Sequence, residues 1–361
     1  MPADVFEGSR WWNLKGEFID IKNRPFNARG DGSTDDTWAF QQAATTGYPI
    51  LVPSGTYVIT DTIDRITSGE SQGLKLHGMG VESTIFDNRI ASGALLNLDG
   101  STTLSAYARG LHLSDFSIET TTSPASSRGI DLRSQHGGDI ERIRIQGLSS
   151  DAIRVTNNNG DQDSTAYIRH KSIHALLNGG WAYNCVNPSV TTNASGGHSF
   201  DQCVFDRNTS GGARILGQYY KFTNGFMGAS GAGDNAIGLL VPYVASNTLV
   251  NLALDNMEFQ DCDTYLIDIQ AGINISMRNI KLIASSRPDI GVRIGDGGSG
   301  VVYLATIEGV YLRRDSGTHT FFQFTSTSNS CNLDGVIANT STGVTKYTDA
   351  GTNNAFTRIV A

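Results

Sequence analysis

The chain has 361 residues, enough to bury a large core, with 41 Gly against 8 Pro and only 17% charged side chains. Its net charge of −8 excludes the clustered basic surface that a nucleic-acid partner requires. No run approaches the ~18 consecutive apolar residues of a membrane helix, so membrane insertion is not expected.

The opening MPADVFEGSRWWNLKGEF lacks a basic start followed by an apolar run, so no export signal is expected. Residues 1–20 read as a linker or adaptor remnant. FNARGDGSTDDT (26–37) then leads into WAFQQAA. Ser33 or Thr34 can cap a short helix with Asp35 and Asp36 in its first turn, and Trp38, Phe40, Ala43 and Ala44 form its buried side. The acidic spacing does not match a calcium loop of the EF-hand type, so the segment reads as a structural cap. ILVPSGTYVIT follows as strand, turn and strand.

Beyond residue 110 the chain repeats a pattern of apolar, polar, often Asn/Asp/Gly, apolar, any, apolar. It starts at Leu113, Ile140, Phe200, Phe222, Leu254, Met277, Ile307 and Leu333. IRHKSI at Ile168 fits less cleanly because Lys171 would point inward. Second strands follow most copies: GIDLR (129–133), AIRVT (152–156), GARILG (212–217), AIGLLV (236–241), LIDIQ (266–270), GVRIG (291–295) and FFQF (321–324). Each alternates with period 2. Units of ~20–30 residues made of short strands and turns predict a solenoid whose stacked coils share one core. Cys185, Cys203, Cys262 and Cys331 have no metal-ligand spacing and read as small buried groups.

The run Phe26, Ala28, Gly30, Asp31, Gly32, Asp35, Asp36, Thr37, Gln42 and Ala43, then Pro53, Gly55 and Tyr57, resembles the N-terminal signature of the pectate-lyase-like superfamily. LKLHGMGVESTIF (74–86) resembles that superfamily's following coil. The resemblance implies an all-β fold: a single-stranded right-handed parallel β-helix over residues 21–345 with a short N-terminal capping helix. Residues 346–361 then read as a C-terminal cap or trimer contact. Phage tailspikes and tail-fibre depolymerases of the superfamily carry this signature without an export signal. The resemblance therefore implies a homotrimer on a phage virion tail, assembled in the host cytoplasm, with a bacterial surface polysaccharide as partner. Secretion is the alternative if an export signal has been removed.

Parallel stacking brings equivalent positions to about 4.8 Å from one another. The outward positions of the middle coils then group Arg144, Arg169, His174, Asp201, Asp206, Asp255 and Glu258. Asp201 and Asp255 fall ~9.6 Å apart, and Asp206 and Glu258 lie on a diagonal of ~12 Å. An inverting glycosidase separates its two carboxyls by roughly 6.5–9.5 Å, a retaining one by about 5–5.5 Å. The expectation is inverting hydrolysis led by Asp206 and Glu258, with Asp201 and Asp255 as alternates. His174, Arg144, Arg169, Trp181 and Tyr183 are the expected substrate contacts. No cofactor or metal is expected. A polysaccharide lyase acting on a uronate, with Ca²⁺, is the second reading, and a non-catalytic receptor-binding fibre the third.

Overall fold

The computed structural model describes residues 18–66, 71–100, 107–122, 126–156, 165–186, 196–228, 237–244, 250–285, 290–314, 319–340 and 344–360. Over these residues the chain winds as a β-solenoid of about nine turns with one short helix. Each turn supplies strand segments to two sheets, one of 22 strands and one of 11. Neighbouring turns pair in parallel, as Leu113 with Ile140 and Met277 with Ile307. The pattern repeated in the sequence is therefore a column in space. Leu113, Ile140, His170, Phe200, Phe222, Leu254, Met277, Ile307, Leu333 and Phe356 stack in one inward file. The second strands expected from the sequence build the 11-stranded sheet, with Ile130 beside Ile153 and Asp268 beside Arg293.

Two corners bend the 22-stranded sheet. At the first, the chain turns through positive φ at Gly110, Gly137, Tyr167, Gly197, Tyr219, Asn251, Asn274 and Leu304. At the second it does so at Asp115, Arg142, Ser172, Gln202, Asn224, Asn256, Asn279, Gly309 and Gly335. Left-handed backbone is least costly for Gly and Asn, which explains why the third position of the repeat favours them. The segment between the corners forms a first face, and the segment after the second corner a second face. A buried asparagine pair closes the next bend. The Asn208 side chain accepts the Asn178 backbone N–H at 3.1 Å and donates to the Ala175 carbonyl at 2.9 Å, so backbone groups that the bend frees stay bonded.

One coil departs from the expected register. Its ladder sets His170 beside Ile140 and Lys171 beside Glu141, with Ile168 beside Gly138. Lys171 therefore faces solvent, and the inward place belongs to His170, which is 1% exposed and stacks on Phe200 at 4.3 Å. An imidazole does not register as apolar in a sequence pattern, yet its ring fills the core as a phenyl would. Burial holds His170 well below the ordinary imidazole range and lowers His198 to about 4.

The helix, α1 (Thr37–Thr46), begins later than expected, with Asp36 as its cap residue but without a side-chain cap bond. The Asp36 carboxylate instead accepts the backbone N–H groups of Arg29 and Gly30 at 2.7 and 2.9 Å. Asp31 ties down Ser33 and Thr34, and Asp35 ties down Thr37 and Thr60. The acidic loop is thus a knot of local turns. Phe40, Ala43 and Ala44 are buried as expected, whereas Trp38 is 62% exposed. At the other end Val344–Asp349 and Ala355–Val360 continue the two sheets in register. All four cysteines are buried and unpaired with one another.

Candidate functional site

The register fixes where each expected site residue lies. Asp201, Thr223, Asp255, Arg278 and Glu308 form one outward column of the first face. Asp201 and Asp255 are two turns apart, the separation read from the sequence. The Asp201 carboxylate accepts the Thr223 hydroxyl at 3.0 Å and the Asn224 amide at 2.9 Å, and Asp255 accepts Asn279 at 3.1 Å. The amide donors are residues of the second corner. Their left-handed backbone sets them beside the carboxylates, which are held in fixed orientations at the edge of the face.

Asp206 and Glu258 lie around that corner on the second face. Asp206 stacks between Leu176 and Gly228, and Glu258 between Phe226 and Lys281. Each carries an ion pair, Asp206 with Arg207 at 3.0 Å and Glu258 with Lys281 at 2.9 Å. The pair named first from the sequence is thus occupied by cations and separated from the first face.

The expected substrate contacts disperse. Arg144 and His174 adjoin one another on the second face, but Arg144 is held by Glu119 and Glu82. Arg169 belongs to the first face, not to the column assigned to it, and pairs with Asp139 at 2.6 Å. Trp181 and Tyr183 are on the 11-stranded sheet, away from both faces, and Tyr183 is fully buried. Tyr183 is a core residue, stacked by register between Ile153 and Ala213, both buried.

A concavity of about 570 Å³ lies over the first corner and first face. Tyr219 and Leu304 stand at its ends, 57% and 53% exposed. Asn251 and Asn274 lie between them, and the Asn274 side-chain amide donates a hydrogen bond to the Asn251 side-chain oxygen at 3.2 Å. Lys221, Ala253, Ser276 and Thr306 form its floor as one stacked column. Arg278 lines it too, and by register is the immediate neighbour of Asp255. An open hollow with an aromatic wall, side-chain amides, two cations and a carboxylate column at its margin suits a chain of polyhydroxylated rings. Tyr219 is not among the substrate contacts expected from the sequence. The signal was present: the corner residues Gly110, Gly137, Gly197, Asn251 and Asn274 each precede the repeat's first position by three. Among the described residues, no group of three or more His, Cys, Asp or Glu side chains is arranged to hold a metal ion.

A family model described as rhamnogalacturonase A/epimerase, pectate lyase-like, matches residues 19–224. A curated relative, the pre-neck appendage protein of Bacillus phage B103, is 25% identical over 187 residues, covering 46% of this chain. The chain spans only 18% of that relative's length. Among solved structures, Geobacillus virus E2 ORF18 superposes with a TM-score of 0.66 at 16% identity, covering 98% of this chain and 64% of its own. Endo-xylogalacturonan hydrolase from Aspergillus tubingensis gives 0.61 at 12% identity, covering 89% and 93%. The enzymatically active domain of bacteriophage CBA120 tailspike protein 2 gives 0.59 at 13%, covering 90% and 43%. Likeness at these identities concerns the fold.

Proposed function

We propose, from the premise that the chain belongs to the rhamnogalacturonase A/epimerase, pectate lyase-like family, that it is a phage tail-appendage module acting on a bacterial surface polysaccharide. The polymer lies in the concavity between Tyr219 and Leu304 and is hydrolysed at the Asp201–Asp255 column. The observation that carries this reading is a pair of oriented carboxylates next to that hollow: Arg278 of its lining is the register neighbour of Asp255, which lies two turns from Asp201 on the same face. Two turns of a parallel stack separate the pair by about 9.6 Å, which side-chain reach brings into the range of roughly 6.5–9.5 Å for inversion. One carboxyl protonates the departing glycosidic oxygen while the other takes a proton from the attacking water. The phage relative and the tailspike likeness support a virion setting.

A second reading, a non-catalytic receptor-binding fibre, draws support from the appendage name of the curated relative and from the ion pairs that occupy Asp206 and Glu258. Incubation of the native chain with capsule, O-antigen and exopolysaccharide from a panel of bacterial strains separates the readings. Hydrolysis releases reducing ends on saturated fragments. A lyase supplied with Ca²⁺ releases unsaturated ones, and a fibre binds its polymer and leaves the length unchanged.

A further inference from the structure

The first corner carries more than the end wall of the concavity. Over the four turns that precede Tyr219, aromatic residues lie at or beside the corner: Tyr107 just before Gly110, His136 next to Gly137, and Tyr167 in the corner position itself. The rings of Tyr107 and His136 lie 4.7 Å apart at 34°, and His136 meets Tyr167 edge-on at 5.0 Å. The Arg109 guanidinium covers one side of Tyr107 at 4.6 Å. Burial and that guanidinium hold His136 below the ordinary imidazole range, so the strip is uncharged there at neutral pH. Tyr167 is 61% exposed, an unusual state for a ring of that size in left-handed backbone.

The next corner residue explains how the ring is held. At Gly197 a Cβ would come within 2.4 Å of the Tyr167 ring. The tyrosine ring therefore packs over the glycine of the following turn, backed by its backbone, while most of the residue stays open to solvent. Gly197 leaves the place in the column that the ring occupies, and Tyr219 resumes the strip one turn later. From Tyr107 to Leu304 the corner runs for seven strand spacings, or roughly 34 Å.

We infer that Tyr107, His136 and Tyr167 form a second, non-catalytic binding track that holds the same polysaccharide beyond the cleavage hollow, so that the chain lies along the solenoid axis. This inference rests on the polysaccharide reading above. A flat aromatic face exposed on one side and backed by protein offers a platform for the C–H-rich face of a sugar ring at little entropic cost, because the ring is already fixed. Apart from the Arg109 guanidinium on Tyr107, the track is uncharged, and it runs on into the hollow, which favours a linear polymer over a compact ligand. It also gives long chains an advantage that short fragments lack, since two contiguous sites on one ligand bind with a shared cost.

The test uses the full chain and the panel polymer that retards it in affinity electrophoresis, together with two- and three-unit fragments of that polymer made by mild acid. Tyr167→Ala is expected to weaken retention by the polymer about tenfold and leave fragment affinity within twofold, while Tyr219→Ala weakens both. Tyr167→Phe keeps the platform and binds as the native chain. Gly197→Ala, which drives the ring from its seat, reproduces the polymer defect with the tyrosine still present. Unchanged polymer retention in Tyr167→Ala overturns the track while leaving the cleavage hollow standing. A change in oligomer mass by light scattering in that variant, with polymer affinity unaltered, makes the strip a contact between copies of the chain and overturns it too. Retardation by no polymer of the panel overturns both readings.

Discussion

The two long walls of the solenoid are built by the same winding and behave differently. On the 11-stranded sheet the outward column runs Asp131, Arg154, Asn184, Arg214, Leu240, Asp268, Arg293. Opposite charges there satisfy one another. Arg293 binds Asp268 through two bonds of 2.7 Å, and Arg128 binds Asp131 in the same forked way. On the first face, the column under the hollow is Lys221, Ala253, Ser276 and Thr306, short side chains with a single cation. One wall closes on itself through bidentate pairs, and the stretch of the first face under the hollow leaves amides and a ring turned outward, with carboxylates in the next column. Stacking makes both columns; the choice of side chain in each turn decides whether a column is a brace or a site.

The contrast breaks most sharply at the carboxylates. Asp201→Asn and Asp255→Asn should each reduce polymer cleavage by a factor on the order of a thousand with the fold intact, because each removes one of two required proton carriers; reducing-end assays check this. Asp206→Asn, around the corner, should stay within a few-fold. If Asp206→Asn proves the more damaging, the site belongs to the second face.

On the bracing wall the expected effect is on stability. Asp268 is 1% exposed and its removal leaves Arg293 without its partner. Asp268→Ala should cost about 3–5 kcal/mol in denaturant unfolding while retaining cleavage per folded molecule. A loss below ~1 kcal/mol would make the ladder ornamental.

The core between the walls adds a pH dependence. His170 and His198 are neutral when folded and titrate near 6.5 when unfolded. Below that value the unfolded chain binds more protons, so stability falls as pH drops from about 6.5 towards 4, by up to ~1.4 kcal/mol per pH unit for each histidine. His170→Phe should flatten this slope in chemical denaturation measured across that range. An unchanged slope would mean that His170 is charged or solvated in the native state. The smallest effect is expected at Arg154→Gln, a half-exposed rung of the ladder, which should shift unfolding by less than about 1 kcal/mol.

Much of this architecture was legible from residues alone. The aligned apolar starts gave the first-face file correctly in every copy but one, because Leu, Ile, Phe and Met announce an inward position by their hydrophobicity. His170 did not, and a shift of two residues in that coil misassigned Arg169 and His174. The separation of Asp201 from Asp255 followed from counting turns. Their isolation from Asp206 and Glu258 did not, since the second corner arises from backbone dihedrals at Asn224 and Asn256 that a linear pattern treats as one more polar position. Tyr183 was misplaced for a related reason: its neighbours in sequence are near the patch, but the turn at Gly179–Gly180 carries the strand onto the opposite sheet. The acidic N-terminal loop was read as a structural cap but differs in detail: Asp31 and Asp36 bind the loop's own backbone, and Asp35 binds Thr37, the first helical residue.

The central claim is that the first face, with Asp201 and Asp255 beside the hollow, cuts a polysaccharide. Mass spectrometry of the panel glycans after incubation with the native chain, Asp201→Asn and Asp255→Asn tests it most directly. The account predicts saturated oligosaccharides from the native chain on at least one glycan, with an inverted anomeric centre, and intact polymer from both variants. Equal product from either variant, or full-length polymer from the native chain on a glycan that it binds, would contradict it.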